Sequence, residues 1–132
     1  MYKNFTYEDI KDKAGLERLV EEEAQNIWAR EGNRHGRDFE QLKISTRQGK
    51  VAEQWLIEHE NFTRATVKYH DLVNAQGELV EVKAFSYGDL YSKFVVDNVQ
   101  KYKTATWNYS KWYVLFNCTN GVYSHIGTVR LK

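Results

Sequence analysis

Asp71, Glu81 and Lys83 are the residues whose types and spacing could do chemistry. They lie in YHDLVNAQGELVEVKAF, from Tyr69 to Phe85, a stretch otherwise rich in valine and leucine. Side chains alternate across a strand, so Glu81 and Lys83 share a face with Leu79 and Phe85, while Val80, Val82 and Ala84 point the other way. Asp71 joins that face only if the turn has the right length. A three-residue loop, Ala75-Gln76-Gly77 with Gly77 left-handed, sets Asn74 against Glu78 and Asp71 against Glu81, with Cβ atoms about 5 Å apart. A four-residue loop sends Asp71 to the opposite face. Two carboxylates that close repel, and burying them alone is costly, so the arrangement calls for a cation. Asp71, Glu81 and the backbone carbonyl of Val82 are hard oxygen donors suited to Mg²⁺, with Mn²⁺ as substitute. Such an ion keeps waters that a phosphate displaces. Lys83 can orient or deprotonate one of those waters and neutralise charge developing on phosphorus. The competing reading is a solvent-facing cross-strand ion pair. Acid-any-lysine triplets are common, and Asp9-Ile10-Lys11 has the same form.

The elements that must position these groups follow from hydrophobic period and punctuation. In TYEDIKDKAGLERLVEEEAQNIWAREG, Leu16, Val20, Ala24, Ile27 and Trp28 recur at helical spacing, and Thr6 with Asp9 offers a cap. That spacing predicts an amphipathic helix, fraying near Gly15, whose Glu21-Glu22-Glu23 run faces solvent. REGNRHGRDFEQLK reads as an arginine-rich loop. Ser45 with Gln48 has the form of a capping box, so a second helix is expected from there to about His59, with Val51, Ala52, Trp55 and Leu56 on one face. TRATVKYHDLV and ELVEVKAF then read as the two strands of a hairpin. SYGDLYSKFVVDNVQKYK returns to helical spacing through Tyr91, Val95, Val99 and Tyr102. KWYVLFNC and VYSHIGTVRL flank Asn120-Gly121, a type I′ turn signal, and predict a second hairpin. The order implies a layered α/β domain with a small mixed sheet between helices. The hairpin over 63–86 would be central, with the strand at 111–118 returning parallel to one of its strands after a helical crossover.

The 132 residues suit a single domain spanning 1–132. With 42% hydrophobic and 28% charged residues and no proline, the composition excludes disordered and collagen-like classes. No apolar leader or membrane-spanning run is evident, and Cys118 stands alone, so an intracellular (cytoplasmic) protein with no membrane partner is expected. Cys118 reads as a small buried hydrophobe. His35, His59, His70 and His125 show no ligand spacing. The net charge of +1 hides a segmental pattern: −3 over 1–29, +3 over 30–50, −3 over 51–80 and +4 over 81–132. A polyanion would be met by the second and fourth segments, although a near-neutral total argues against strong non-specific binding.

Asp71, nine intervening residues and Glu81-Val82-Lys83 resemble the signature of the PD-(D/E)xK nuclease superfamily, which includes type II restriction endonucleases and Holliday-junction resolvases. KYHDLVNAQGELVEVKA is similar to the core hairpin of small restriction enzymes, with His70 where proline is usual. The resemblance covers roughly residues 45–118, since the family core runs helix, hairpin, helix, strand. It implies a restriction-endonuclease-like fold and a Mg²⁺-dependent endodeoxyribonuclease acting on duplex or branched DNA. Asp71 and Glu81 would hold the metal and Lys83 would position the water. A glutamate on the preceding helix often approaches the metal in this family. Glu53 occupies the matching place, at the edge of the apolar face, where facing solvent is equally open to it; Glu58 and Glu60 are the alternatives. Phosphate contact falls to Arg34, His35, Arg37, Lys43, Arg47 and Lys50, assisted by Tyr87 and Lys93, although a solvated loop of this charge would be ordinary. Cutting both strands suggests a homodimer. Junction resolution is the alternative within the superfamily. A non-catalytic nucleic-acid-binding or assembly domain is the alternative outside it.

Overall fold

The computed structural model describes residues 2–33, 36–66, 71–86 and 112–130. Thr6 and Asp9 form a reciprocal capping box, but around a short 3-10 turn, Tyr7–Asp9, rather than at the head of a long helix. Ile10 is extended and buried, and the chain restarts at α1, Lys13–Glu31, where Asp12 caps the Gly15 N–H at 3.0 Å. The expected single helix is therefore a turn plus a helix, because a second capping acid follows the first within three residues. The Asp12 cap also keeps α1 continuous through Gly15, which does not fray.

The second helix, α2, runs Phe39–His59, six residues earlier than the Ser45 start. Asp38 and Gln41 form a capping box ahead of Ser45 and Gln48, and the earlier start buries Leu42 and Thr46. Ser45 is left inside the helix, its hydroxyl donating to the Gln41 carbonyl at 3.2 Å. The loop is correspondingly shorter than REGNRHGRDFEQLK. From Val51 to Leu56 every residue of α2 is buried. A helix buried all round lies between two layers; here Leu16 and Val20 of α1 are on one side and Val80, Val82, Val114 and Phe116 of the sheet on the other. Trp55 is the hub of this core. Phe5 stacks on it at 4.4 Å and on Tyr123 at 4.9 Å, so the N-terminal segment is held against the sheet. Burial of such aromatics accounts for a large part of a small domain's stability.

The five strands are β1 (Thr63–Arg64), β2 (Leu72–Val73), β3 (Leu79–Phe85), β4 (Trp112–Thr119) and β5 (Val122–Arg130), in that spatial order. All neighbours are antiparallel except β3 and β4, which run parallel from Val80↔Trp112 to Phe85↔Asn117. A parallel pair demands a crossover. The connecting segment, including the helix expected through Tyr91, Val95, Val99 and Tyr102, lies outside the described residues. TRATVKYHDLV is not one strand: β1 and β2 pair with each other, Thr63↔Val73 and Arg64↔Leu72, and the Ala65 N–H closes onto the Asp71 carbonyl at 3.1 Å. The β-branched run turns back on itself, leaving β1 at the sheet edge and β3 in the centre. The architecture is thus a mixed α/β arrangement of five strands with two helices among the described residues. No helix among them is long and apolar enough to cross a membrane.

Both turn readings have their structural counterparts. Asn120 and Gly121 have φ of 52° and 77°, as a type I′ turn requires. At the site hairpin Gly77 has φ of 80°, donates to the Asn74 carbonyl at 3.0 Å, and Asn74 N–H bonds the Glu78 carbonyl at 2.9 Å. The Asn74 side chain accepts from Gln76 and Glu78 N–H groups, so the loop has the odd length. Leu72↔Val80 and Val73↔Leu79 follow, and continuing that register sets Asp71 across from Glu81. Gly77→Ala should cost about 1 kcal/mol, since a Cβ is strained in the left-handed region; denaturant melts of the two proteins measure it.

Candidate active site

Asp71 follows directly from the register. Its Oδ2 accepts the Val82 N–H at 2.9 Å, so the side chain crosses to β3 and is fixed by the backbone of the strand bearing Glu81 and Lys83. Lys83 Nζ is 3.4 Å from Glu81 Oε1, with the Glu81 side chain 19% exposed and that of Lys83 39% exposed. Glu53 reaches the same region from α2. Because both flanks of α2 are covered, the edge position seen on a helical wheel is an interior one, and Glu53 is 5% exposed. Glu58 is engaged elsewhere: its carboxylate accepts the Lys11 and Asp12 N–H groups at 2.6 and 2.9 Å and so ties α2 to the head of α1.

Two cations meet Glu53. Lys50 Nζ and Arg64 Nη1 both approach Oε1 at 3.3 Å. Arg64 also donates to Gln54 Oε1 at 2.7 Å, and Gln54 donates to Glu58 at 3.0 Å. Lys50 is shared with Glu23 of α1, again at 3.3 Å. Among the described residues Asp71 links two groups, Glu53 with Lys50, Arg64 and Glu23 on the α2 side and Glu81 with Lys83 on β3. Burial governs the carboxyl groups of both. Burial first, then repulsion from Asp71, pushes the Glu53 carboxyl up to about 7 despite Lys50 and Arg64. Burial raises Asp71 too, against the Val82 N–H and Lys83, and raises Glu81 against Lys83. Burial pulls on the Lys50 ammonium in the opposite sense, but Glu53 and Glu23 hold its pKa above the ordinary value. Desolvation of like charges in a shared pocket is a recurrent mark of functional sites.

Three of the basic residues expected to meet phosphate, Lys43, Arg47 and Lys50, have partners within the fold. Arg47 donates Nε and Nη2 to Glu17 at 2.8 and 3.0 Å, and Lys43 pairs with Glu21 at 2.9 Å. The hydrogen bond from Arg47 holds the Glu17 carboxyl below its usual range. With Lys50 and Glu23, these pairs make a ladder between α1 and α2. The acidic run of α1 keeps Glu22 exposed as expected, while the half-exposed Glu21 and Glu23 also pair with cations on the facing side of α2. Arg37 stands just before the α2 cap, half-buried. Arg34, His35, His70, Tyr87 and Lys93 lie outside the described residues.

Sequence reasoning does not find Arg64, Gln54 or Glu23. The only signal for Arg64 is a lone arginine in the segment after α2, which acquires meaning once β1 folds back beside β2. His59 stacks on Trp55 at 5.1 Å, and His125 Nε2 lies 2.7 Å from Thr128 Oγ1. The chain matches no protein-family model, no curated protein and no solved structure.

A group whose folded pKa is raised binds its proton more tightly in the native state, so the stability it contributes is present below the unfolded value near 4.5 and is lost as pH rises through about 7. Metal-free protein should therefore lose about 2–3 kcal/mol between pH 4.5 and 8 through Glu53. Glu53→Gln should flatten that slope, as urea melts at a series of pH values in EDTA would reveal; equal slopes would remove the buried-acid account.

Proposed function

We propose that the chain is a Mg²⁺-dependent endodeoxyribonuclease of the PD-(D/E)xK type, restriction-endonuclease-like in fold. The observation that carries the reading is the register: a loop of odd length sets Asp71 across from Glu81, with Lys83 beside Glu81 and buried Glu53 behind. The element order supports it. Helix α2, the β2–β3 hairpin, a crossover and the parallel strand β4 follow the helix, hairpin, helix, strand sequence of that superfamily where residues are described.

The donor set fits a hard divalent ion. All three acids offer oxygen, and burial raises the pKa of each, so an added cation would favour their ionised forms. Among the described residues no three acidic, imidazole or thiol groups stand close enough to cage a metal by themselves. Mg²⁺ does not need such a cage, since it is usually held by one or two carboxylates together with waters and substrate phosphate. Asp71 and Glu81 would hold it, with the Val82 carbonyl, while Glu53 would support an outer water. The bound ion supplies Lewis acidity and lowers the pKa of water.

The chain's own residues do the rest. Hydrolysis adds water across one P–O bond: the attacking oxygen gives up a proton, and the departing oxygen takes one. The Lys83 ammonium would orient the attacking water and balance charge growing on the phosphoryl oxygens. The hydrogen bond from the Val82 N–H to Asp71 Oδ2 would hold Asp71 toward β3 and its neighbour Glu81. Contact with the DNA backbone would fall to Arg34, His35, Arg37, Tyr87 and Lys93. Lys43, Arg47 and Lys50 would contribute only by exchanging their α1 partners for phosphate. Two copies of the chain would cut both strands of a duplex.

Purified protein should cleave DNA with Mg²⁺ or Mn²⁺ and not with EDTA. Asp71→Asn and Lys83→Ala should each lose at least about 100-fold in rate while keeping the wild-type circular dichroism. Undiminished cleavage by either variant removes that residue from the site. Folded protein inert on every DNA favours a non-catalytic binding domain. Linear duplex and four-way junction run side by side separate restriction-like cutting from junction resolution.

A further inference from the structure

We propose that Lys50 is a stand-in cation for Glu53, shared with Glu23 so that it passes to α1 when a divalent ion takes its place, which makes Lys50 and Glu23 positioning residues of the site. The inference rests on the metal-dependent reading above. Its basis is the different freedom of the two cations on Glu53 Oε1. Arg64 is bracketed: its guanidinium also donates to Gln54, which donates to Glu58, which is anchored by the Lys11 and Asp12 N–H groups. Lys50 has a flexible four-carbon stem and two acceptors, Glu53 and Glu23, each at 3.3 Å.

The two acceptors are unequal. The Glu53 side chain is 7% exposed and that of Glu23 is 46% exposed. A buried carboxylate stripped of its cation is strongly unfavourable, so Glu53 draws Lys50 and Arg64 onto Oε1 in the metal-free protein. A divalent ion held by Asp71 and Glu81 brings that positive charge itself and repels the nearby ammonium. Glu23 then receives the ammonium without any lysine being left unpaired. It makes the exchange of a monovalent for a divalent cation a local shift along one side chain rather than a rearrangement of α2. Without Glu23, Lys50 would be committed to Glu53 and would compete harder with the incoming ion.

Calorimetric Mn²⁺ titration of the full chain without DNA tests this, using wild type, Glu23→Gln, Lys50→Gln and the double variant, each checked for fold by circular dichroism. Glu23→Gln should weaken Mn²⁺ binding about three- to fivefold, the range of one partly exposed ion pair. In the Lys50→Gln background the same substitution should change little, because the competitor is gone. Equal weakening in both backgrounds would mean only general loss of negative charge and overturns the proposal. Unchanged binding by Glu23→Gln, with wild type binding normally, overturns it and leaves the nuclease reading standing. No Mn²⁺ binding by folded wild type overturns both.

Discussion

The bond from the Val82 N–H to Asp71 Oδ2 is the constraint on which the site depends. It joins the end of one strand to the middle of the next and fixes the face on which Asp71 appears. A slip of one residue in the β2–β3 pairing would exchange every side chain between core and site: Val80 and Val82 would leave the contact with α2, and Glu81 and Lys83 would enter it. The apolar packing of Val80 and Val82 against α2 and the pairing of Glu81 with Lys83 therefore enforce the same register from opposite faces of β3. The loop at Ala75-Gln76-Gly77 is compatible with both because Gly77 accepts the left-handed conformation that the odd length needs.

The second constraint is the sandwiching of α2. Covered by α1 on one flank and by the sheet on the other, it offers no solvent face along Val51–Leu56, so any charge there must be answered inside the protein. Glu53 is answered by Lys50 from its own helix and Arg64 from β1, and Lys50 in turn by Glu23 from α1. The Glu17–Arg47 and Glu21–Lys43 pairs continue that ladder toward solvent. The ladder orients α1 on α2 more than it stabilises, since exposed pairs contribute only about 0–1 kcal/mol each. Lys50 differs from Lys43 and Arg47 because it also pairs within α2 with Glu53, and both of those side chains are largely buried.

Local chemistry is what a sequence displays, and the features legible in it are local. The hairpin loop can be read from Asn74 and Gly77, the β4–β5 turn from Asn120-Gly121, and the parallel return of β4 from the helical spacing of the intervening segment. The start of α2 is misread because Asp38-x-x-Gln41 and Ser45-x-x-Gln48 are both capping boxes; burial of Leu42 and Thr46, a tertiary effect, decides between them. The split of TRATVKYHDLV into β1 and β2 is hidden for a related reason. Strand propensity is uniform along it, and only pairing partners say where it turns. Arg64 and Glu23 are invisible as site residues because their partner, Glu53, is distant in sequence and its burial is not local information.

The cost of this arrangement bears on its meaning. Replacing a buried ion network by well-packed apolar residues is often neutral or stabilising, so the cluster is not explained by the needs of the fold. Leu72, Val80, Val82, Val114 and Phe116 already supply an apolar interior, and nothing in that packing requires acids on the adjacent face of β3. Yet the chain places Glu53 where it is nearly inaccessible, raises three carboxyl pKa values through burial, and draws cations from α2, β1 and β3 to these acids. Carboxylates on a central strand and on a helix buried on both flanks are rigid and poorly solvated, which is what the proposed metal-dependent site would require of its donors.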